Sequence, residues 1–171
     1  MYEQEEQLDI AAEQYRLSAE LFEMDNSDSS SNTCWLKSAE LSTLNDSTPD
    51  IVVAAIKCFE QVAQRYLSHN LTKYSAKDCY FKACLLHLSN DDPVGTENAI
   101  NQYANRDPSF ETSRECKLIQ DLMASTNAND VEGFENAIFA FNKMTPLDRW
   151  KTNVCLRAKG FVTGQASLDL R

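Results

Sequence analysis

Glycine and proline are scarce in this chain, with four of each among 171 residues. Both residues interrupt helices, and sustained runs of β-branched residues are also few, so the composition favours an all-helical fold. No apolar run approaches the roughly 20 residues that a membrane-spanning helix needs. The opening segment Met1 to Glu6 contains neither a basic region nor an apolar one. The sequence therefore shows no secretory signal and predicts a cytoplasmic protein.

Basic residues are too few for a typical nucleic-acid-binding protein. The chain has 16 lysines and arginines against 26 acids, which gives a formal net charge of −10. Residues 1–60 hold thirteen of the acids and three of the bases, and the charges balance in the rest. Nucleic-acid binding is disfavoured because it relies on an excess of cations that neutralise phosphates. Any anionic partner must meet a local basic patch.

Motifs of enzymes and of metal sites are missing from the sequence. It contains no glycine-rich phosphate loop, no Gly-x-Ser-x-Gly and no His-Glu-x-x-His. The six cysteines occur singly, without Cys-x-x-Cys, and neither histidine has metal-ligand spacing. We therefore expect buried reduced thiols, no metal, no cofactor and no enzymatic activity. One alternative stays open, because Cys84 and His87 would be close on a helix and could form a thiol nucleophile with its base.

A short pattern recurs along the chain: alanine, a second small or branched apolar residue, and an aromatic residue one turn later. The copies are Ala11-Ala12-Tyr15, Ala55-Ile56-Phe59, Ala99-Ile100-Tyr103 and Ala137-Ile138-Phe141. Their starts are 44, 44 and 38 residues apart, a spacing typical of two helices and their connections. The pattern predicts stacked antiparallel helical pairs, in which alanine admits a neighbouring helix and the aromatic side chain fills the gap.

Polar and proline-containing breaks separate about eight predicted helices. The predicted ranges are 8–23, 33–44, 49–67, 71–88, 93–105, 110–126, 130–143 and 145–156. The serine-rich segment 25–32 is predicted to be a loop. In the first helix we expect an inward face; its members are Ala12, Tyr15, Ala19 and Phe22. The helical part is assigned to residues 1–159, and the glycine-rich segment 160–171 is predicted to be a flexible tail.

The most informative stretch is residues 71–88, whose apolar residues recur at steps of three, four and seven and predict one buried helix face. The members of this face are Tyr74, Phe81, Cys84, Leu85 and Leu88. Lys73 and Lys77 lie beside it, one helical turn apart. Like charges at this spacing slightly destabilise a helix, whereas an anionic partner would gain from them. A solvated helix edge remains the alternative interpretation of this pair.

The same stretch carries a resemblance to a known family. From residue 73 it reads Lys-Tyr-Ser-Ala-Lys-Asp, and an aromatic residue and Phe-Lys-Ala follow, which resembles the alpha/beta-type soluble NSF attachment proteins, or SNAPs. Further matches occur in the family's order: Ser-Arg-Glu-Cys-Lys-Leu at 113–118, Leu147-Asp148 with Trp150, and Asp-Leu-Arg at 169–171. The resemblance covers the chain from about Tyr2 onward. It implies the C-terminal half, or somewhat more, of a SNAP, with Met1 as an internal start.

The resemblance also implies a fold and a role. The fold is all-α, with TPR-like antiparallel helical hairpins stacked as a right-handed solenoid and a C-terminal helical bundle at the end. The role is that of an adaptor in vesicle fusion and intracellular protein transport. Such an adaptor binds the SNARE four-helix bundle and recruits the ATPase NSF, which pulls the bundle apart. The chain would be cytoplasmic and would reach membranes through SNAREs, since the family's membrane-touching N-terminal loop has no counterpart here.

Individual residues match the family's contact positions. Those that match the contacts to the acidic SNARE bundle are Lys37, Lys73, Lys77 and Arg114. Those that match the contacts to the ATPase are Asp91, Asp169 and Leu170. Thr33 departs from the family, because many relatives have lysine there, and Ala124, Asn127 and Ala128 stand where the family is acidic. An alternative function is a generic TPR-like scaffold that binds another acidic helical partner.

Overall fold

Helices make up nearly all of the part of the chain that the structure, a computed structural model, describes, namely residues 2–45 and 48–162. Within these ranges there are nine α-helices, a 3-10 turn at Lys73–Ser75 and no strand. The helices are α1 (Tyr2–Met24), α2 (Asp28–Asn45), α3 (Pro49–Leu67), α4 (Ala76–Ser89), α5 (Pro93–Arg106), α6 (Pro108–Glu111), α7 (Arg114–Asn127), α8 (Val131–Met144) and α9 (Arg149–Val162). The predicted all-α class is confirmed. Among the described residues, no helix combines the length and apolarity that crossing a membrane requires.

The chain divides into two compact units, residues 1–79 and residues 80–171, which are called here the first and the second unit. In the first unit α2 packs against both α1 and α3. A polar cluster fastens the three helices at one end. Trp35 donates its Nε1–H to Glu23 Oε1 at 2.8 Å, and Arg65 pairs with the same carboxylate while its Nη1 donates to Asn32 Oδ1 at 3.2 Å.

The start of α2 corrects the prediction of a loop over 25–32. The helix begins at Asp28, so the connection from α1 is only three residues long. Asn26 has a left-handed φ of 56° and ends α1 tightly. Ser31 and Asn32 are buried, and Asp28 lies in the first turn, where its negative charge is favourable to the helix dipole. Tertiary packing thus extends the helix through a serine-rich segment of low helix propensity.

The inward face predicted for α1 is only half correct. Ala12 and Ala19 are buried, but Tyr15 is 39% exposed and Phe22 is 37% exposed. At one of the buried alanines the Ser38 hydroxyl of α2 donates to the carbonyl oxygen of Ala12 at 2.8 Å. The two aromatic side chains, although they share the helical spacing of the alanines, remain partly open to solvent.

In the second unit α4 forms the centre of the core, and residues 80–86 are all buried. Tyr80 stacks on Tyr103 with ring centroids 4.3 Å apart, and Phe110 meets both rings edge-on at 5.8 and 6.0 Å. Phe81 lies 5.6 Å from the ring of Phe141. Aromatic pairs at these distances add stabilisation beyond the area that they bury.

The apolar face predicted for residues 71–88 is confirmed from Phe81 onward and wrong at Tyr74. Phe81, Cys84 and Leu85 are fully buried, whereas Tyr74 is 77% exposed. The reason is local, because α4 begins only at Ala76 and a 3-10 turn precedes it. The helical spacing that relates Tyr74 to the core residues therefore does not apply.

The repeated aromatic residues behave as predicted in three copies of four. Phe59, Tyr103 and Phe141 are buried, on α3, α5 and α8. Tyr15 on α1 is the exception described above. The pattern of small residue and aromatic therefore identifies packed helices correctly, although it does not guarantee burial of the ring.

The helix predicted over 110–126 is two helices. Asp107 accepts hydrogen bonds from the backbone N–H and the hydroxyl of Ser109, at 3.0 and 2.6 Å, and so starts the short α6. Ser113 then caps α7 by accepting from the N–H of Cys116 at 3.1 Å. Two caps in close succession leave room for only four residues in α6.

The last helix begins and ends later than predicted. It starts at Arg149 instead of Thr145 and continues to Val162, which is buried, so Gly160 and Phe161 lie in its last turn. The first part of the segment assigned to a tail is therefore helical, because Val162 packs into the second unit. Residues 163–171 lie outside the described residues, and the flexible tail stays a prediction there.

Each of the six cysteines is a free thiol. Cys34 and Cys58 are half-buried and the other four are buried. Burial raises the pKa of Cys58 to about 11 and that of Cys155 to about 12. A raised pKa lowers the fraction of nucleophilic thiolate at neutral pH.

We expect iodoacetamide to label Cys34 before Cys155 in the native chain. Mass spectrometry of digests checks the order of labelling, and equal labelling rates at the two cysteines would contradict it.

Glu23 makes the stability of the first unit depend on pH. Hydrogen bonds from Trp35 and then Arg65 hold the pKa of this carboxyl below its usual 4.5. A depressed folded-state pKa means that the carboxylate stabilises the fold above the unfolded pKa, and that this contribution is lost as the pH falls through the folded value. We expect Glu23→Gln to lower the urea midpoint at neutral pH and to lower it less in acid. Glu132→Gln, at an exposed position of α8, is the control. If Glu23→Gln lowers the urea midpoint by the same amount at neutral and at acidic pH, the stabilising role given to the Glu23 carboxylate is contradicted.

Candidate partner-binding surfaces

Three of the predicted contact residues lie in the first unit. Lys37 is exposed on α2, with its Nζ 3.8 Å from Glu40 Oε2, a loose pairing one turn away. Lys73 is exposed in the 3-10 turn, and its Nζ stands 5.3 Å from the centroid of the Tyr74 ring. Lys77 is half-buried in the first turn of α4. Lys73 and Lys77 therefore do not share a helix, which corrects the predicted one-turn relation between them.

Arg114 is the predicted SNARE contact of the second unit, and it follows directly on the cap of a helix. Ser113 caps α7 immediately before it. The guanidinium is exposed; Nη1 donates to Thr145 Oγ1 at 3.0 Å, and Cζ stands 5.3 Å from the centroid of the Phe141 ring. Among the described residues it has no carboxylate partner. Arginine stacked on a ring is held in place while its remaining N–H donors stay available.

Arg114 borders a shallow groove between α7 and α8. The groove is a cavity of about 180 Å³. Its α7 side is lined by Arg114 and the residues three, four and seven positions after it. Its α8 side is lined by Ala137, Ala140 and Phe141. Lys117 is one of the α7 residues, and its Nζ lies 3.7 Å from Asp121 Oδ2. The structure thus places a second cation beside Arg114. The spacing of three residues could have identified Lys117 from the sequence.

Asp91 occupies the turn between α4 and α5. It has a left-handed φ of 50° and is exposed. The carboxylate of the next residue, Asp92, already has two partners. It accepts a hydrogen bond from the N–H of Gly95 at 2.8 Å, and its Oδ2 lies 3.1 Å from His87 Nδ1. The turn therefore presents the Asp91 carboxylate at the surface. Asp169 and Leu170, the other predicted ATPase contacts, lie outside the described residues.

The thiol-enzyme alternative finds no support in the structure. Cys84 is fully buried in the core of the second unit, so its sulfur is not accessible to a substrate. His87 faces Asp92 at the end of the helix. Within residues 2–45 and 48–162, no three histidine, cysteine or acidic side chains form a group that could hold a metal ion.

Consecutive helices that pack as pairs define the class of helical-repeat proteins. Residues 1–163 match the family described as Soluble NSF attachment protein, SNAP. The chain belongs to this family, which consists of adaptors and not of enzymes.

Relatives from distant organisms agree with this assignment. The chain is 37% identical over 162 residues to the alpha-soluble NSF attachment protein of Dictyostelium discoideum, with 95% of this chain and 54% of that protein covered. It is 39% identical over 149 residues to a probable vesicular-fusion protein sec17 homolog of Neurospora crassa, covering 87% and 50%. It is 33% identical over 164 residues to the human alpha-soluble NSF attachment protein, covering 96% and 54%. The chain thus spans about half the length of the curated relatives it matches, whose names point to NSF attachment and vesicle fusion.

Proposed function

We propose that this chain is an adaptor of SNARE complex disassembly, which binds the SNARE four-helix bundle and recruits and stimulates the ATPase NSF. The observation that supports this most is the state of Arg114. Although the chain carries a net charge of −10, this guanidinium contacts a hydroxyl and a ring and has no carboxylate partner among the described residues. By contrast, Arg16 and Arg65 each form an ion pair with a glutamate side chain.

Unpaired cations at the surface favour an acidic partner for a physical reason. A guanidinium that pairs with a carboxylate only in the complex gains a charge-assisted hydrogen bond without first breaking an internal one. Exposed charges also steer association, and salt screens that effect. Lys73 fits the same argument, since its nearest partner is a neighbouring ring. Lys37, which pairs loosely with Glu40, and Lys77 are included in the proposed contact set because they match the contact positions of the family.

Co-sedimentation of the chain with a purified SNARE bundle tests the first half of the proposal. We expect binding at low salt that weakens as salt is added. Absence of binding at low salt, with a full-length relative as a positive control, would contradict the proposal for this chain. A generic scaffold, the alternative, would bind an acidic helical partner but leave the ATPase unstimulated. Membrane association through the bound SNAREs is part of the same proposal.

The second half concerns NSF, for which we propose Asp91, Asp169 and Leu170 as contacts. Leu170→Ala should remove most of the stimulation of NSF ATP hydrolysis in the presence of SNARE bundles. Leu168→Ala is the matched control, because it truncates the same side chain two residues earlier. Equal losses in the two variants would show that Leu170 has no specific contact. Asp91→Asn should reduce stimulation more weakly, since one exposed charge is worth at most about 1 kcal/mol.

A further inference from the structure

A groove in the first unit opens on the side of α2 opposite to Lys37. It is a cavity of about 320 Å³, with α2 as its floor and α1 and α3 as its walls. On each helix the lining residues are a first residue and those three, four and seven positions after it. The first residue is Asp9 on α1, Trp35 on α2 and Ile51 on α3. At about 100° per residue, Trp35 stands roughly 160° around α2 from Lys37. The groove therefore lies on a different side of α2 from Lys37, the SNARE contact proposed on that helix.

The floor of this groove and its α3 wall carry no charge and consist largely of small residues. Ala39 of α2 and Ala55 of α3 are buried in it, and small side chains let the backbone of another helix approach closely. The thiol of Cys58 donates to the carbonyl oxygen of Trp35 at 3.4 Å. Burial raises the pKa of this thiol to about 11, so it is uncharged at neutral pH. No charged side chain of α2 or α3 lines the cavity.

All the charge at the groove comes from α1, and it is negative overall. Arg16 is the cation among the lining residues, and it forms ion pairs with Glu13 and Glu20 of the same helix. Its Nη2 lies 2.6 Å from Glu13 Oε1. Asp9 has no ion-pair partner among the described residues. Along its whole length α1 holds seven acids and one base. One wall of the groove is thus acidic and the other apolar.

We propose that this groove binds a basic amphipathic helix from a partner protein. Its apolar side chains would lie on the floor between α1 and α3, and its lysines or arginines would face Asp9 and Glu13 on α1. Docking of an amphipathic helix in an apolar groove is an established mode of recognition. The lined faces are two turns long, about 10 Å, so a segment of two or three turns fills the groove. A second copy of this chain is a poor occupant, because it would bring another acidic α1 against the same wall.

A synthetic peptide of about four helical turns, Leu-Lys-Lys-Leu-Leu-Lys-Leu written twice, is a suitable probe. Trp35 in the groove reports binding through its fluorescence, while Trp150 is buried in the second unit and provides a constant background. A scrambled peptide of the same composition tests the need for an amphipathic helix. A version with glutamate in place of lysine tests the need for positive charge.

Two variants and two matched controls locate the binding site. Ala54→Phe puts a ring into the groove from its exposed rim, and Val53→Phe puts the same ring one position along α3, outside the groove. Asp9→Lys reverses a charge on the acidic wall, and Glu97→Lys makes the same charge change at an exposed site of α5. We expect Ala54→Phe to weaken binding about tenfold or more and Asp9→Lys about threefold. The two controls should bind as the parent does, with circular dichroism confirming that every variant is folded.

Several outcomes would overturn the proposal. They are no fluorescence change with the lysine peptide, equal binding of the glutamate peptide, and equal binding by Ala54→Phe and the parent. Sedimentation that shows a dimer of this chain, lost in Ala54→Phe, would assign the groove to a second copy instead. Binding lost in Ala54→Phe and kept in Val53→Phe, together with the charge effect at Asp9, would establish the groove as a docking site.

Discussion

Replacing Phe81 with alanine is expected to lower the free energy of unfolding by ~3–5 kcal/mol. Phe81 is 1% exposed in α4, and its ring lies 5.6 Å from the ring of Phe141 on α8. The Nζ of Lys151 on α9 stands 5.6 Å from the same ring centroid. One side chain therefore connects three helices of the second unit. Its removal leaves a cavity that neighbouring residues cannot fill without moving these helices.

Tyr74→Ala is the matched control for this prediction. Tyr74 belongs to the same apolar pattern in the sequence, but it is 77% exposed in the turn before α4. We expect it to change the unfolding free energy by no more than about 0.5 kcal/mol. Urea unfolding followed by circular dichroism measures both variants. Similar losses in the two would mean that Tyr74 is packed, against the structure described above.

Signals that act over a few residues predicted the starts of α3, α5 and α8 well, whereas the predicted starts of α1, α2, α4 and α9 differ from the structure by four to six residues. Pro49 and Pro93 begin α3 and α5 as expected, because proline suits the first turn of a helix. Asp92 and Asp130 cap α5 and α8, each accepting from the N–H of a glycine three residues later, at 2.8 and 2.9 Å. Such caps depend on the identity of neighbouring residues alone, and a sequence displays them directly.

Burial was predicted less well, because it depends on which elements meet. Tyr15 and Phe22 follow the helical spacing of an inward face, but only Ala12 and Ala19 of that face are buried. Conversely, Ser31 lies in a segment that reads as a loop, and packing buries it within α2. Periodicity identifies a face, whereas the neighbouring helix decides how wide the covered part of that face is.

The surroundings of the candidate contact residues could not be predicted from local sequence. The family resemblance suggested Arg114, but its hydrogen-bond partner Thr145 is 31 residues away. The Phe141 ring beneath the guanidinium was visible only as a member of a repeat. The groove beside α2 was not predicted at all, since its lining residues come from three helices that only the folded chain brings together. Long-range packing creates both features.

Reversing two charges is expected to abolish binding to a SNARE bundle. The double variant Lys77→Glu, Arg114→Glu removes one proposed contact from each unit and replaces attraction by repulsion, which costs more than neutralisation does. Arg114→Glu alone should weaken binding about tenfold at low salt, equivalent to about 1.4 kcal/mol. Its guanidinium has no internal carboxylate partner among the described residues, so the change breaks no ion pair of the fold. The unfolding midpoint of Arg114→Glu should therefore stay close to the parent value.

A second double variant, Lys57→Glu, Lys143→Glu, separates a specific contact from net charge. Both lysines are exposed, one on α3 in the first unit and one on α8 in the second, and neither lines the α7–α8 groove. The two double variants carry the same net charge, so a bundle that responded only to net charge would reject them equally. Specific contacts instead predict that the control double binds within about threefold of the parent, because distant exposed charges are screened. Equal loss in both variants, measured by co-sedimentation at low and high salt, would refute Lys77 and Arg114 as contacts.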